Sequence, residues 1–259
     1  MRVSIVNCVS TAADMMRFSD QSLLRHCGHA NFDYVVVKWL ASSEVDAYLA
    51  DLPRIIHSIQ PAEGITLRVV EHATDESVGY VPNLRAMMNE GFEEGFRLNN
   101  YCGLVNTDCW FGLGWLRNLE RYATPNRVVN SLHITRATPP RPVQGIVTED
   151  LGAPLPKEFN LLRFIALYKQ LYRDELYVAP AGDYRQAATM PYLFHRQYWE
   201  TCGPWELTLE HGTPDMRFFD RLALVGAEFA LSLSSIVYHH EAVERRGERP
   251  KGAEHLSEE

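Results

Sequence analysis

Over its first 110 residues the chain alternates two kinds of apolar pattern, and few folds accept that alternation. Residues 3–9 form a short, β-branched run of the kind a strand buried on both faces requires. Residues 14–27 then carry Met15, Met16, Phe18, Leu23 and Leu24 at helical spacing. A second strand is predicted over 32–40, centred on Tyr34-Val35-Val36-Val37, and a second amphipathic helix over 45–59, with Pro53 as a candidate interruption. Residues 65–71 alternate apolar and polar side chains as a third strand. Residues 82–98 read as a helix whose Gly91 and Gly95, four apart, suit close approach to a sheet. Residues 101–105 form a fourth strand that ends directly in Asn106-Thr107-Asp108. Strand and helix in strict turn predict an α/β fold, a doubly wound and mostly parallel sheet with helices on both faces. Ligands of such sheets bind beyond the carboxyl ends of the strands, which here are 7–10, 38–43, 72–83 and 106–109.

The second half is less regular. Strands are predicted at 127–134, 177 onward, 192–195 and 228–238, and helices at 160–172 and 218–225. The stretch 138–156 holds five of the fourteen prolines and reads as a crossing loop. A hydrophobic fraction of 46% supports one sizeable core. A formal net charge of −8 argues against nucleic acid as a partner, which needs clustered Lys and Arg. The five cysteines form no CxxC pair, which argues against a structural zinc site and suits free thiols in a reducing cytoplasm. The opening MRVSIVNCVS is too short an apolar run for a signal peptide, and nothing approaches a membrane span, so a soluble, cytoplasmic chain is expected.

Three groups of residues carry chemistry. Asp108 and Asn106, ending a buried strand, offer oxygens to a hard divalent cation; Asp108 is equally suited to cap a helix starting near Gly112 or Trp115. Asp215, ahead of Phe218, Phe219 and Leu222, sits where a helix begins, as either an N-cap or a general base. His239 and His240 end an apolar strand, and neutral imidazole is a common metal ligand.

The order of these groups resembles that of the family-2-like glycosyltransferases of GT-A fold. The matching series runs Gly79, Asn83 and Ala86, then Asn106-Thr107-Asp108 as a DxD-type motif, with Gly114-Trp115-Leu116 after it. Phe194-His195-Arg196-Gln197-Tyr198-Trp199 leads to Gly203-Pro204-Trp205-Glu206; Asp215 is followed by Arg221-Leu222, and Val237-Tyr238-His239 closes the series. The resemblance implies a single GT-A domain over 1–240, with a nucleotide-binding half at 1–110, an acceptor-side half at 111–240, and a charged, flexible tail at 241–259. It implies a nucleotide-sugar donor (a UDP-, GDP- or dTDP-sugar) whose diphosphate is bridged by Mn²⁺ or Mg²⁺ on Asp108, helped by Asn106, with His239 completing the shell. It places Val6, Asn7, Cys8, Val9, Ser10 and Asn83 near the nucleotide, and Trp205 and Glu206 near the acceptor. Asp215 takes the role of general base in a single inverting displacement by a hydroxyl of a saccharide, a lipid-linked sugar or a small molecule. The sequence departs from the family where Lys38-Trp39-Leu40-Ala41-Ser42-Ser43 replaces an acidic segment and where Asn106 replaces the first acid of the DxD motif.

The competing reading is a nucleotide- or sugar-binding protein of the same fold with little turnover. A dinucleotide enzyme is disfavoured because Asn7-Cys8-Val9-Ser10-Thr11 follows the first strand where a glycine-rich turn is needed.

Overall fold

The structure is a computed structural model that describes residues 1–10, 13–28, 31–59, 64–136, 139, 142–152, 158–207 and 214–240. The 241–259 tail, and with it the expectation of flexibility, lies outside the described residues.

The first half follows the alternation closely. Strand β1 (Val3–Val9) leads to α1 (Ala13–His26), β2 (Phe32–Lys38), α2 (Ser43–Ile59), β3 (Ile65–Glu71), α3 (Tyr80–Leu98) and β4 (Tyr101–Val105). β1 pairs in parallel with both β2 and β4, and β3 lies outside β2. The helix α2 runs unbroken through Pro53, which faces solvent. Successive β2 residues feed opposite cores: Val35 and Val37 join Phe92 of α3 on one face, while Tyr34 and Val36 join Leu23, Leu49 and Leu52 of α1 and α2 on the other. That two-sided burial is why the strand reads as a continuous apolar run.

Glycine decides how closely α3 seats. A Cβ built on Gly91 would stand 2.4 Å from Val6 Cγ1, and one on Gly95 would stand 2.6 Å from Cys102 Sγ. The four-residue spacing therefore puts two bare backbone patches over β1 and β4, as the sequence predicts.

The second half contributes β5 (Cys109–Phe111), α4 (Trp115–Glu120), β6 (Arg127–Thr135), β7 (Ile146–Thr148), α5 (Leu161–Leu171), β8 (Leu176–Val178), β9 (Tyr192–His195), α6 (Arg196–Cys202), α7 (Pro214–Leu224) and β10 (Glu228–His239). The sheet runs in the order β3-β2-β1-β4-β9-β6-β10-β5, with β7 beside β6 and β8 beside β10. β9 is antiparallel to both β4 and β6, while β6 and β10 are parallel. The first four strands are thus wholly parallel, and the reversed β9 joins them to the rest. Short elements escape a sequence reading, among them β5 and β7, each three residues long, and α6, a seven-residue helix that follows β9 directly. Strands of three residues are too short for a period-two pattern to declare itself.

Candidate active site

The directions of the strands determine what meets at their ends. β1, β4, β6 and β10 all run the same way, so Val9, Val105, Thr135 and His239 finish on one edge of the sheet. β9 runs against them and starts on that edge, with Tyr192 opposite Leu104 and Asn130.

Beyond Val105 the chain turns through 106–108 and returns as β5, antiparallel to the end of β10, with Cys109 directly opposite His239. This return removes the cap reading of Asp108. The helix α4 begins seven residues later, its N-cap is Gly114 at φ 72°, and no side chain caps it. Asp108 instead meets His239, whose Nε2 lies 3.0 Å from Asp108 Oδ2. The His240 backbone N–H donates to the Asp108 carbonyl at 3.0 Å, which pins the turn to the strand end. The donor atoms of Asp108, Cys109 and His239 all lie within 4.8 Å of one another. A carboxylate, an imidazole and a thiol converging at a strand end form a donor set suited to a divalent cation.

Two further histidines crowd this corner. The His133 ring centroid is 5.1 Å from that of His239, and its Nε2 is buried without a hydrogen-bond partner. Burial, reinforced by His239, drives its pKa down to about 3, so it stays neutral. His240 is fully buried between Phe18 and Tyr238, with neither ring nitrogen hydrogen-bonded. Burial lowers its pKa to about 4, with His239 and Arg136 adding to the effect and Asp108 opposing it.

Asp215 is the second residue of α7, inside the first turn, where a negative charge also suits the helix dipole. It is half-buried, and its charge is felt by the phenol of Tyr192. Burial first, and Asp215 second, hold that phenol well above its ordinary pKa; the hydroxyl is buried with no hydrogen-bond partner. Tyr192 begins β9 on the same edge of the sheet as Val105. Tyr192 belongs to the core, and it is a neighbour of Asp215's charge that sequence reasoning missed. Its one signal was position, as the first residue of an apolar strand.

The turn 203–206 lies between α3 and α7, bound by Asn89 of the one and Arg221 of the other. Trp205, expected to offer a stacking face to an acceptor, is only 3% exposed. Its ring sits 6.0 Å from Phe92 and 6.4 Å from Phe218, and Asn89 brackets its backbone with hydrogen bonds of 2.8 and 2.9 Å. The indole is therefore core packing, and the turn exposes Pro204 and Glu206. Arg221 Nη1 lies 3.8 Å from Glu206 Oε1, and the nearby Arg85 binds the Leu207 carbonyl at 2.8 Å.

At the end of β1, the side chains of Val6, Asn7 and Val9 are buried, leaving Cys8 and Ser10 half-exposed. Asn7 donates to Tyr34 Oη at 2.7 Å, and that hydroxyl donates to Asp20 at 2.5 Å, so its amide serves the core. Asn83 is likewise spent internally. It accepts from the Asp75 N–H at 2.8 Å and donates to the Asp75 and Gly79 carbonyls at 3.0 Å, shaping the loop after β3. After β2, Lys38 pairs with Asp46 at 2.9 Å and Glu71 at 3.5 Å, and Trp39 is buried with its Nε1 donating to Thr74 at 2.9 Å.

No family model and no curated protein matches the sequence. Solved structures do match the fold. A structure of GalNAc-T7 with UDP, GalNAc and Mn²⁺ superposes at a TM-score of 0.58, with 13% identity, over 96% of this chain and 45% of that one. S. aureus TarS spanning residues 1–349 gives 0.57 at 11% identity, over 92% of this chain and 60% of that one. This chain therefore spans about half the length of the structures it matches. At such identities the likeness establishes architecture, and that architecture is GT-A.

Proposed function

We propose that this GT-A-fold chain is a glycosyltransferase that moves a sugar from a nucleoside-diphosphate donor to an acceptor hydroxyl with inversion. The observation that carries this reading is the meeting of Asp108 and His239, 3.0 Å apart, at the strand ends where this fold leaves its cleft. Two fold neighbours were solved with UDP, one of them with Mn²⁺ as well, which favours a UDP-sugar and manganese here. Asp108 and His239 would hold the cation, with Asn106 assisting; a bound divalent ion offsets the negative charge that grows on a departing diphosphate. Half-exposed Cys8 and Ser10 then face the nucleotide side, and Arg136, at the end of β6, adds fixed positive charge at the same edge.

Asp215 accepts the proton of the attacking hydroxyl. It stands in the first turn of α7, half-buried, with its side chain open to an incoming hydroxyl on one side. Tyr192, buried against Phe92, Phe194 and Phe219 with its hydroxyl unpartnered among the described residues, acts from the core on the charge of Asp215. Glu206, held between α3 and α7, presents a carboxylate to a saccharide, lipid-linked or small-molecule acceptor. Residues 1–240 act as one domain in this reading, the first 110 holding the donor and the remainder the acceptor.

A thermal-shift screen of UDP, GDP, CDP and dTDP, each with Mn²⁺ and with EDTA, tests the proposal. A metal-dependent rise with one nucleotide, lost in Asp108→Ala, supports it and names the donor class. No rise with any of the four removes it. A rise unaffected by EDTA, with no sugar transfer detected, selects a binding protein, a reading that Asn106 at the first DxD position favours.

A further inference from the structure

The corner that carries the proposed cation contains a ligand type the carboxylate–histidine pair does not. Cys109 starts β5 directly opposite His239 in an antiparallel pair, so both side chains leave the same face of the ladder. Residues so opposed have Cβ atoms about 4.5–5.5 Å apart, close enough for both to reach one ion. Asp108, the preceding residue, is drawn to the same point by its contact with His239. The three donor atoms lie within 4.8 Å of one another. Ligands at metal distances of about 2.0–2.3 Å stand roughly 3.5 Å apart around a tetrahedral ion, so side-chain adjustments of about an ångström close the set. Cys109 is also 3% exposed, which shields a metal–sulfur bond from exchange with solvent thiols.

We infer that Cys109 is a third protein ligand of this site, and that the site selects a borderline or soft divalent cation over magnesium. The inference rests on the metal-binding reading above and sharpens it. On binding, the Cys109 thiol loses its proton to solvent as the sulfur–metal bond forms, and His239 must present its Nε2 lone pair. Magnesium demands a near-octahedral oxygen shell and gains little from sulfur and imidazole, whereas Zn²⁺ and Co²⁺ accept both. The expected order of affinity is Zn²⁺, then Co²⁺, then Mn²⁺, with Mg²⁺ last.

Titrating the metal-free full chain with Co²⁺ reads the ligand directly, without any turnover assay. The expected result is a sulfur-to-cobalt charge-transfer band in the near ultraviolet, absent in Cys109→Ser and Cys109→Ala. Both variants should keep weaker Co²⁺ binding, reduced on the order of ten-fold or more. Cobalt binding without that band, or a band that persists in both variants, overturns the assignment of Cys109. If such binding is still lost in Asp108→Ala, the proposed function survives that failure; if Asp108→Ala binds cobalt normally, the metal reading of the function falls with it. Should both Cys109 variants fail to fold, cadmium NMR of the unaltered chain decides. A strongly deshielded, thiolate-type resonance supports sulfur ligation, and a shift typical of oxygen and nitrogen ligands alone overturns it.

Discussion

Asp108 and Asp215 are both carboxylates beside an element start, yet the surroundings separate their roles. Asp108 is drawn against His239 and joins no helix, so its loss acts on binding: Asp108→Ala should abolish the metal-dependent thermal shift with the donor nucleotide. Asp215 lies on a different element, in the first turn of α7, and its charge is felt by Tyr192. Asp215→Asn should therefore leave nucleotide binding nearly intact while lowering turnover by about 10²-fold or more, the scale of a lost general base; unchanged turnover would remove it from the mechanism. Tyr192→Phe deletes only a buried hydroxyl with no partner, so it should fold normally. A fall in turnover with unaltered stability, followed by urea titration and sugar transfer, would show that this hydroxyl acts on Asp215 from the core; unchanged turnover would make it packing alone. Trp205 belongs to a different class: truncating it opens the core beside Phe92 and Phe218, and a stability loss of about 3–5 kcal/mol is expected.

Among the elements, α3 and the α1–α2 pair show how helix seating was written. Gly91→Ala places a methyl 2.4 Å from Val6 Cγ1. The helix-propensity gain of about 1 kcal/mol is outweighed by overpacking of roughly 1–3 kcal/mol, so chemical denaturation should show net destabilisation. On the other face, Asp20 is fully buried and accepts from Tyr34 at 2.5 Å and Tyr48 at 3.0 Å, joining α1 to β2 and α2. Desolvation outweighs those two hydrogen bonds and raises its pKa to about 7. The sign follows: between its unfolded value near 4 and about 7 the folded state binds more protons, so stability falls as pH rises through that window. Asp20→Asn should flatten that part of the stability–pH curve, measured by urea titration at stepped pH. A slope equal to that of the unaltered chain would show that Asp20 does not titrate there.

For the whole molecule, the reversed strand β9 is the joint: it hydrogen-bonds to β4 on one side and β6 on the other, and Tyr192 and Phe194 cover Phe92. A fragment of residues 1–110 loses that cover and leaves β4 as an apolar open edge, so it should fail to fold cooperatively by circular dichroism. The full chain should unfold in one transition. No helix among the described residues is long and apolar enough to cross a membrane. The α/β class, the first seven elements and the seating glycines were legible in the sequence, because each rests on a local period or on a missing side chain that any buried sheet would require. The DxD-like turn and the terminal histidine were legible as candidates for the same reason: strand ends are visible where apolar runs stop. That Asp108 caps no helix, that Cys109 faces His239, that Tyr192 feels the charge of Asp215 and that Trp205 turns inward were decided only in three dimensions. Those facts depend on the antiparallel return of β5 and the insertion of β9, pairings between residues from 62 to 130 positions apart that no local period encodes.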